Sequence, residues 1–390
     1  MKSPVLSILF LLISVTLLAV PNDFRFRHFS VEDGLSSNSV RAIMQDKYGF
    51  LWIGTEEGLN RYDGIMIKSY SICPQAAGKY ISSLYGTKKN IWIGTDEGIY
   101  IYAYATETFT YFDLTTPNNV RITSIVNHIL QDKDGNLWFS TNGQGLFRYN
   151  LSKNYLEQYE FTSAFGIVAS TMADSDNQIW ALTNQGESGV YKLNKAENKF
   201  EPFGLLYNAG NHHSQALAML EDSEQTLWLG TWECGLQKID KYTRQTTTYL
   251  HPTDGKGVTH IHSLMEYAPH QLLIGSDDGL LLFNTLTEEY KLFTENETVP
   301  NSLSNRFVYP IIKDREGGIW VGTNAGGINY LTPGTNWFNT FCYTPGKTSA
   351  PGKVINSFCE NTDGTIWIGT DNKGLWNYNP HDQSFTPVYL

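Results

Sequence analysis

Trp232 is the first residue whose type and setting invite chemistry. Seven of the ten tryptophans of this 390-residue chain share one recurring position, and Trp232 is not among them. It is followed by Glu233-Cys234, and two histidine segments stand elsewhere, His212-His213-Ser214 and His260-Ile261-His262. An indole beside amides and imidazoles suits stacking on a sugar ring, with hydrogen bonds to its hydroxyls. Filling a gap between two sheets is the competing use. The four histidines show no third metal ligand, so they read as polar loop residues.

The acidic residues admit two further readings. Glu56, Glu57, Asp96, Asp277 and Asp278 occupy equivalent loops, where a carboxylate pair would hydrolyse a glycosidic bond, although polar loop residues are the commoner use. Asp132-Lys133-Asp134-Gly135-Asn136 opens like a calcium loop, but Leu137 stands where the loop needs glycine and no bidentate glutamate follows. The same Asp position recurs as Asp46, Asp174, Asp222 and Asp314, which fits a turn former. A sialidase-like use would need arginines to converge, and Arg61, Arg121 and Arg306 are three of only nine. No nucleophile elbow, paired-histidine zinc motif or phosphate loop occurs. No catalytic residue, metal or cofactor is expected.

What positions these residues is a repeat. A Leu/Ile-Trp-x-Gly-Thr frame recurs at Trp52, Trp92, Trp138, Trp180, Trp228, Trp320 and Trp367, with Leu273 in the missing slot. The spacings are 40, 46, 42, 48, 45, 47 and 47 residues. Each unit reads as four short antiparallel strands, for instance Val40 to Gln45, Phe50 to Thr55, Leu59 to Tyr62 and Ile67 to Tyr70. Gly49, Gly135, Gly317 and Gly364, with Asn177, suit a hairpin turn of positive φ. Small residues after the anchor, such as Gly54 and Gly230, leave room for an indole of the neighbouring sheet. The fold class is all-β, a β-propeller of four-stranded blades.

Phe24 to Phe29 is an orphan strand placed to complete the last blade and to remove an exposed edge. A similar segment, Trp337 to Phe341, follows Pro333-Gly334. The expected division is a signal peptide over 1–20, a seven-bladed propeller over 21–335 and the first blade of an incomplete second propeller over 336–390. A closed eight-bladed ring is the alternative.

Composition agrees and excludes. Charged residues are 17%, aromatics 14%, and 34 glycines are present, which disfavours long solvated helices. A net charge of -11 disfavours nucleic acid and other polyanions. Cys73, Cys234, Cys342 and Cys359 form no CxxC pair. Lys2 followed by the apolar run Val5 to Val20 suits a signal peptide and predicts a periplasmic protein; an uncleaved anchor is the other reading.

Residues 31–64 hold Val31-Glu32-Asp33-Gly34-Leu35-Ser36-Ser37-Asn38-Ser39-Val40, Leu51-Trp52-Ile53-Gly54-Thr55 and Gly58-Leu59-Asn60-Arg61-Tyr62-Asp63-Gly64. This resembles the opening of the periplasmic sensor region of hybrid two-component systems, and the likeness runs through all eight units. Gly326 to Tyr330 looks like that family's junction between propellers. The resemblance implies two seven-bladed propellers before an immunoglobulin-like domain, a membrane helix, a histidine kinase, a receiver and a DNA-binding module. It implies an oligosaccharide ligand derived from complex glycans and a homodimer in the full-length sensor. The chain stops at Leu390, before those modules, and is expected to be a truncated product or an excerpt. It would then lack kinase activity, bind no nucleic acid, and meet the membrane only through a missing C-terminal part or an uncleaved signal segment. The other function considered is a secreted propeller hydrolase or polysaccharide lyase. The expected ligand-binding residues, on the loops between the second and third strands and between blades, are Trp232, His213, His260, His262, Arg61, Arg121, Asn305 and Arg306.

Overall fold

The computed structural model describes residues 24–72, 79–161, 166–183, 189–205, 215–251, 257–296, 298–299, 301–332, 354–382 and 384–389. The signal segment, His213, the 335/336 boundary and Trp337 to Phe341 lie outside the described residues.

Eight four-stranded antiparallel sheets are present among them. The first blade runs Val40–Gln45, Leu51–Thr55, Gly58–Tyr62 and Ile67–Tyr70, each strand bonded to the next. Its anchor strand is buried along its whole length, as a sheet covered on both faces must be.

The recurring Asp and Trp form one device. Asp46 Oδ1 accepts the backbone N–H groups of Tyr48 and Phe50, at 2.9 and 3.0 Å, and so shapes the hairpin turn. Its Oδ2 accepts the indole N–H of Trp52 at 2.8 Å. The same indole bond joins Trp138 to Asp132, Trp180 to Asp174, Trp228 to Asp222 and Trp320 to Asp314. A buried indole needs such an acceptor, which explains the six-residue spacing. The turn before Trp92 is shorter and carries Thr87, and the Trp92 indole N–H has no acceptor among the described residues. Positive φ falls where the sequence predicts it, at Gly49 (93°) and Asn177 (58°), and also at Gln225 (62°) and His270 (62°).

The glycine after the anchor serves a different neighbour from the one expected. A Cβ on Gly54 would stand 2.6 Å from Ile81 Cγ2, and one on Gly230 would stand 2.5 Å from Ile261 Cγ2. The space is taken by a β-branched residue at the start of the next blade's innermost strand. The indole itself packs in the seam: Trp52 joins Ile81, Ile91, Ile93 and Tyr102 of the second blade. The core is thus a set of wedges between blades rather than one central cluster.

These wedges count the ring. Gly322 of the seventh blade meets Val40 of the first, at 2.7 Å from a Cβ to Val40 Cγ1. Trp320 packs with Ile43, Leu51 and Ile53 in the same seam. Phe26–Phe29 pairs antiparallel with Ile328–Leu331 as the outer strand of that seventh blade, so both ends of the ring share one sheet. The eighth sheet, from Ile355–Glu360 to Ser384–Val388, stands outside this closure. Among the described residues a Cβ on its Gly369 would meet only Ser357 of its own sheet, and Phe358 is 69% exposed. The architecture is seven blades plus one.

Candidate functional site

A β-bulge marks the start of every innermost strand of the ring. In the first blade Val40 opposes Thr55 and Ala42 opposes Gly54, which leaves Arg41 as the extra residue. The equivalent extra residues are Ser82, Asn127, Ala169, Leu217 and His262, with Tyr309-Pro310 in the seventh blade. Bulges re-aim side chains and recur beside functional sites. Here they are small or aliphatic on blades four and five, and charged or aromatic on blades six, seven and one.

Those three meet. The His262 ring stacks on Tyr309, with centroids 4.3 Å apart at 17°. The Arg41 guanidinium lies over the same tyrosine ring at 4.4 Å. Arg41 donates to Glu56 Oε1 from Nε at 3.1 Å and pairs with it again through Nη2. Its Nη2 also donates to Asn324 Oδ1 at 2.8 Å, which accepts from Ser39 Oγ at 3.1 Å. Glu56 and Asn324 each follow the threonine of an anchor frame, so the loops between second and third strands hold the bulged residues in place.

On the other side, one carboxylate holds two imidazoles. Asp277 pairs through Oδ2 with His260 Nδ1 and through Oδ1 with His262 Nε2 at 2.8 Å. The His260 ring lies against the Trp232 indole, with centroids 3.8 Å apart at 32°. A backbone bond from His260 N to Trp232 O at 3.0 Å fixes that pairing. Trp232 is 36% exposed, so an indole face remains open to solvent. The result is an arc along one end of the ring, Trp232, His260, Asp277, His262, Tyr309 and Arg41.

The charges in the arc are internally balanced. Burial pushes His262 below its ordinary value, against the opposing pull of Asp277. Burial also disfavours the Arg41 charge, but its bonds to Glu56 and Tyr309 outweigh this and hold the guanidinium protonated. Its hydrogen bond with Arg41 holds Glu56 below the usual carboxylate range. Tyr80 of the second blade is pushed up by burial and feels Arg41, Glu56, Tyr309 and Asp96, so the arc continues to that blade. Such a surface offers aromatic faces with donors and acceptors of nearly cancelling charge, which matches a polyhydroxylated ring.

The structure therefore gathers Trp232, His260 and His262 from the expected set. Arg61 packs instead over Phe50, Trp52 and Tyr70 in the first blade, at 4.5, 5.8 and 5.4 Å. Arg121 is half-exposed and paired with Asp113 at 2.6 Å. Asn305 accepts from Phe307 N and reaches Glu295 at 3.4 Å, while Arg306 lies over the Phe307 ring. Sequence reasoning missed Arg41 and Tyr309, and placed Asn324 on a candidate loop without counting it among the ligand-binding residues. The signal that finds them is positional: each stands next to a buried β-branched residue or a frame threonine. The calcium reading of Asp132 finds its oxygens taken by Asn136 N, the Asn136 amide and the Trp138 indole. Among the described residues no group of three or more His, Cys, Asp or Glu is disposed to hold a metal.

The family model for "Two component regulator propeller" matches residues 34–57, 121–143, 302–325 and 349–372. Those four segments match the two-component regulator propeller repeat. A histidine kinase of Formosa agariphila is 46% identical over 68 residues, covering 17% of this chain and 5% of that protein. Among solved structures, the extracellular domain assigned to the hybrid two component system BT3049 of B. thetaiotaomicron is 25% identical with a TM-score of 0.73. That match covers 94% of this chain and 49% of the other. The extracellular domain assigned to BT4673 of the same organism shares the fold at 23% identity and a TM-score of 0.67, over 92% and 46% of the two chains. The propeller thus spans about half the length of these solved ectodomains. A virginiamycin B lyase of Staphylococcus aureus also shares the fold, at 15% identity and a TM-score of 0.61, over 80% of this chain and 99% of that one. Among the described residues no helix is long and apolar enough to cross a membrane. The propeller thus resembles in fold the extracellular domains of these two-component systems.

Proposed function

We propose that this regulator propeller is the periplasmic ligand-sensing region of a hybrid two-component regulator and that its arc binds an oligosaccharide released from a complex glycan. The observation that carries the reading is the open indole of Trp232 laid against His260, within reach of the Asp277–His262 pair and Tyr309. A sugar ring stacks on the indole while imidazole, carboxylate and guanidinium groups take its hydroxyls. Because five blades contribute to the arc, a bound chain bridges blades. Occupancy then favours one packing of the propeller against its membrane-proximal neighbour and biases a kinase dimer by differential affinity for the two states.

A second reading rests on the same residues. An imidazole held by a carboxylate, as His260 is by Asp277, is the pairing that general-base catalysis uses, and a lyase shares this fold. Prolonged incubation of the purified chain with soluble polysaccharides separates the two. The sensor reading expects saturable binding with no new reducing ends and no unsaturated uronide. Product that accumulates with time and disappears in Asp277→Asn would replace it with the enzyme.

A further inference from the structure

A pocket of about 240 Å³ opens between the first and second blades, at the hairpin-turn end of the anchor strands. The strand Leu51–Thr55 separates it from the arc, which lies beyond Thr55. Five extended residues span roughly 16 Å. The walls are aromatic: Tyr48, Phe50 and Trp52 from the first blade, Tyr102 and Tyr104 from the second.

Two polar groups in this pocket lack partners. Arg61 has no hydrogen-bond or ion-pair partner among the described residues, and its Nε is buried. The Tyr104 hydroxyl is likewise buried without a partner. Asp46 lines the pocket but is already engaged, Oδ1 with two backbone amides and Oδ2 with the Trp52 indole. Lys47 Nζ lies 4.6 Å from the Tyr104 ring centre and donates to Lys88 O at 2.7 Å, and Glu107 completes the lining.

We propose that this pocket is a second binding site, for a single six-membered ring that carries one carboxylate. The Nε of Arg61 is buried without a partner, and a carboxylate meets the planar fork of a guanidinium through two parallel bonds. The five aromatic side chains take the ring faces, and the Tyr104 hydroxyl donates to the ligand's oxygen. The volume lies below that of sites for drug-sized molecules, so it takes one ring rather than a chain. A hexuronate unit and an aryl carboxylate share this chemistry.

Calorimetry on the purified full chain with D-galacturonate, D-galactose and benzoate as probes tests the assignment. Galacturonate or benzoate is expected to bind at least about tenfold more tightly than galactose, the worth of one charged hydrogen bond. Whichever of the two acids binds names the source of the carboxylate. Arg61→Met keeps the apolar stem and is expected to abolish the preference. Tyr104→Phe removes a single oxygen and is expected to weaken binding severalfold at an unchanged melting temperature. Trp232→Ala is expected to leave this binding intact, which separates the pocket from the arc. Equal affinity for galactose and galacturonate, no binding of any probe, or unaltered affinity in both pocket variants would overturn the proposal.

Discussion

Gly322 and Val40 lie at opposite ends of the ring sequence, yet a Cβ on the glycine would stand 2.7 Å from Val40 Cγ1. The same glycine faces Pro310 Cγ at 2.6 Å. The seam between blades seven and one therefore has no room for a methyl group. Gly322→Ala is expected to destabilise the ring by about 1–3 kcal/mol, the cost of overpacking a filled interior. Gly369→Ala, in the eighth sheet, meets only Ser357 among the described residues and is expected to cost less. Urea unfolding of the two variants makes the comparison.

The indole–aspartate bond predicts an asymmetry between two tryptophans of the same frame. Trp52→Phe leaves Oδ2 of the buried Asp46 without its donor, whereas Trp92→Phe removes an indole N–H that has no acceptor among the described residues. Trp52→Phe is expected to cost about 1–2 kcal/mol more than Trp92→Phe, the penalty of an unsatisfied buried group. Equal losses in denaturant midpoint would contradict the device.

Stability should fall on mild acidification. Burial lowers the proton affinity of His262 and His128 in the folded chain below the ordinary value of 6.5. The unfolded chain then binds more protons than the folded one as pH drops through 6.5, so the free energy of unfolding decreases in that direction. Above this window both rings are neutral in either state and the effect vanishes. Thermal melts between neutral and mildly acidic pH, with His128→Asn and His262→Gln flattening the curve, check the sign.

How much of this could be read from the chain follows from what each residue faces. The turn aspartate, the indole and the small residue each meet a partner that recurs in most blades, so their types repeat and the sequence displays them. Phe26–Phe29 was legible for the same reason, since a free sheet edge demands a strand. The bulged residues face one another across the ring end instead of a repeated neighbour. Arg41, Ser82, Asn127, Ala169, Leu217 and His262 accordingly share a position and no chemistry. Tyr309 reaches Arg41 only because the seventh blade closes on the first, and no local pattern reports that contact. Arg61 drew notice as a ligand group of the loop face, but pairing opposite Trp52 places it away from the arc, near the turn, where it lines the second pocket.

The most direct test of the sensor account is isothermal titration of the purified chain with defined glycan oligosaccharides, repeated on Trp232→Ala, Tyr309→Ala and Arg121→Ala. The account predicts that at least one oligosaccharide binds saturably. Trp232→Ala and Tyr309→Ala should each weaken that binding at least about tenfold, from the loss of a stacking face, while Arg121→Ala leaves it unchanged. Binding indifferent to Trp232 and Tyr309, or no binding across the panel, would contradict the arc as the sensing site.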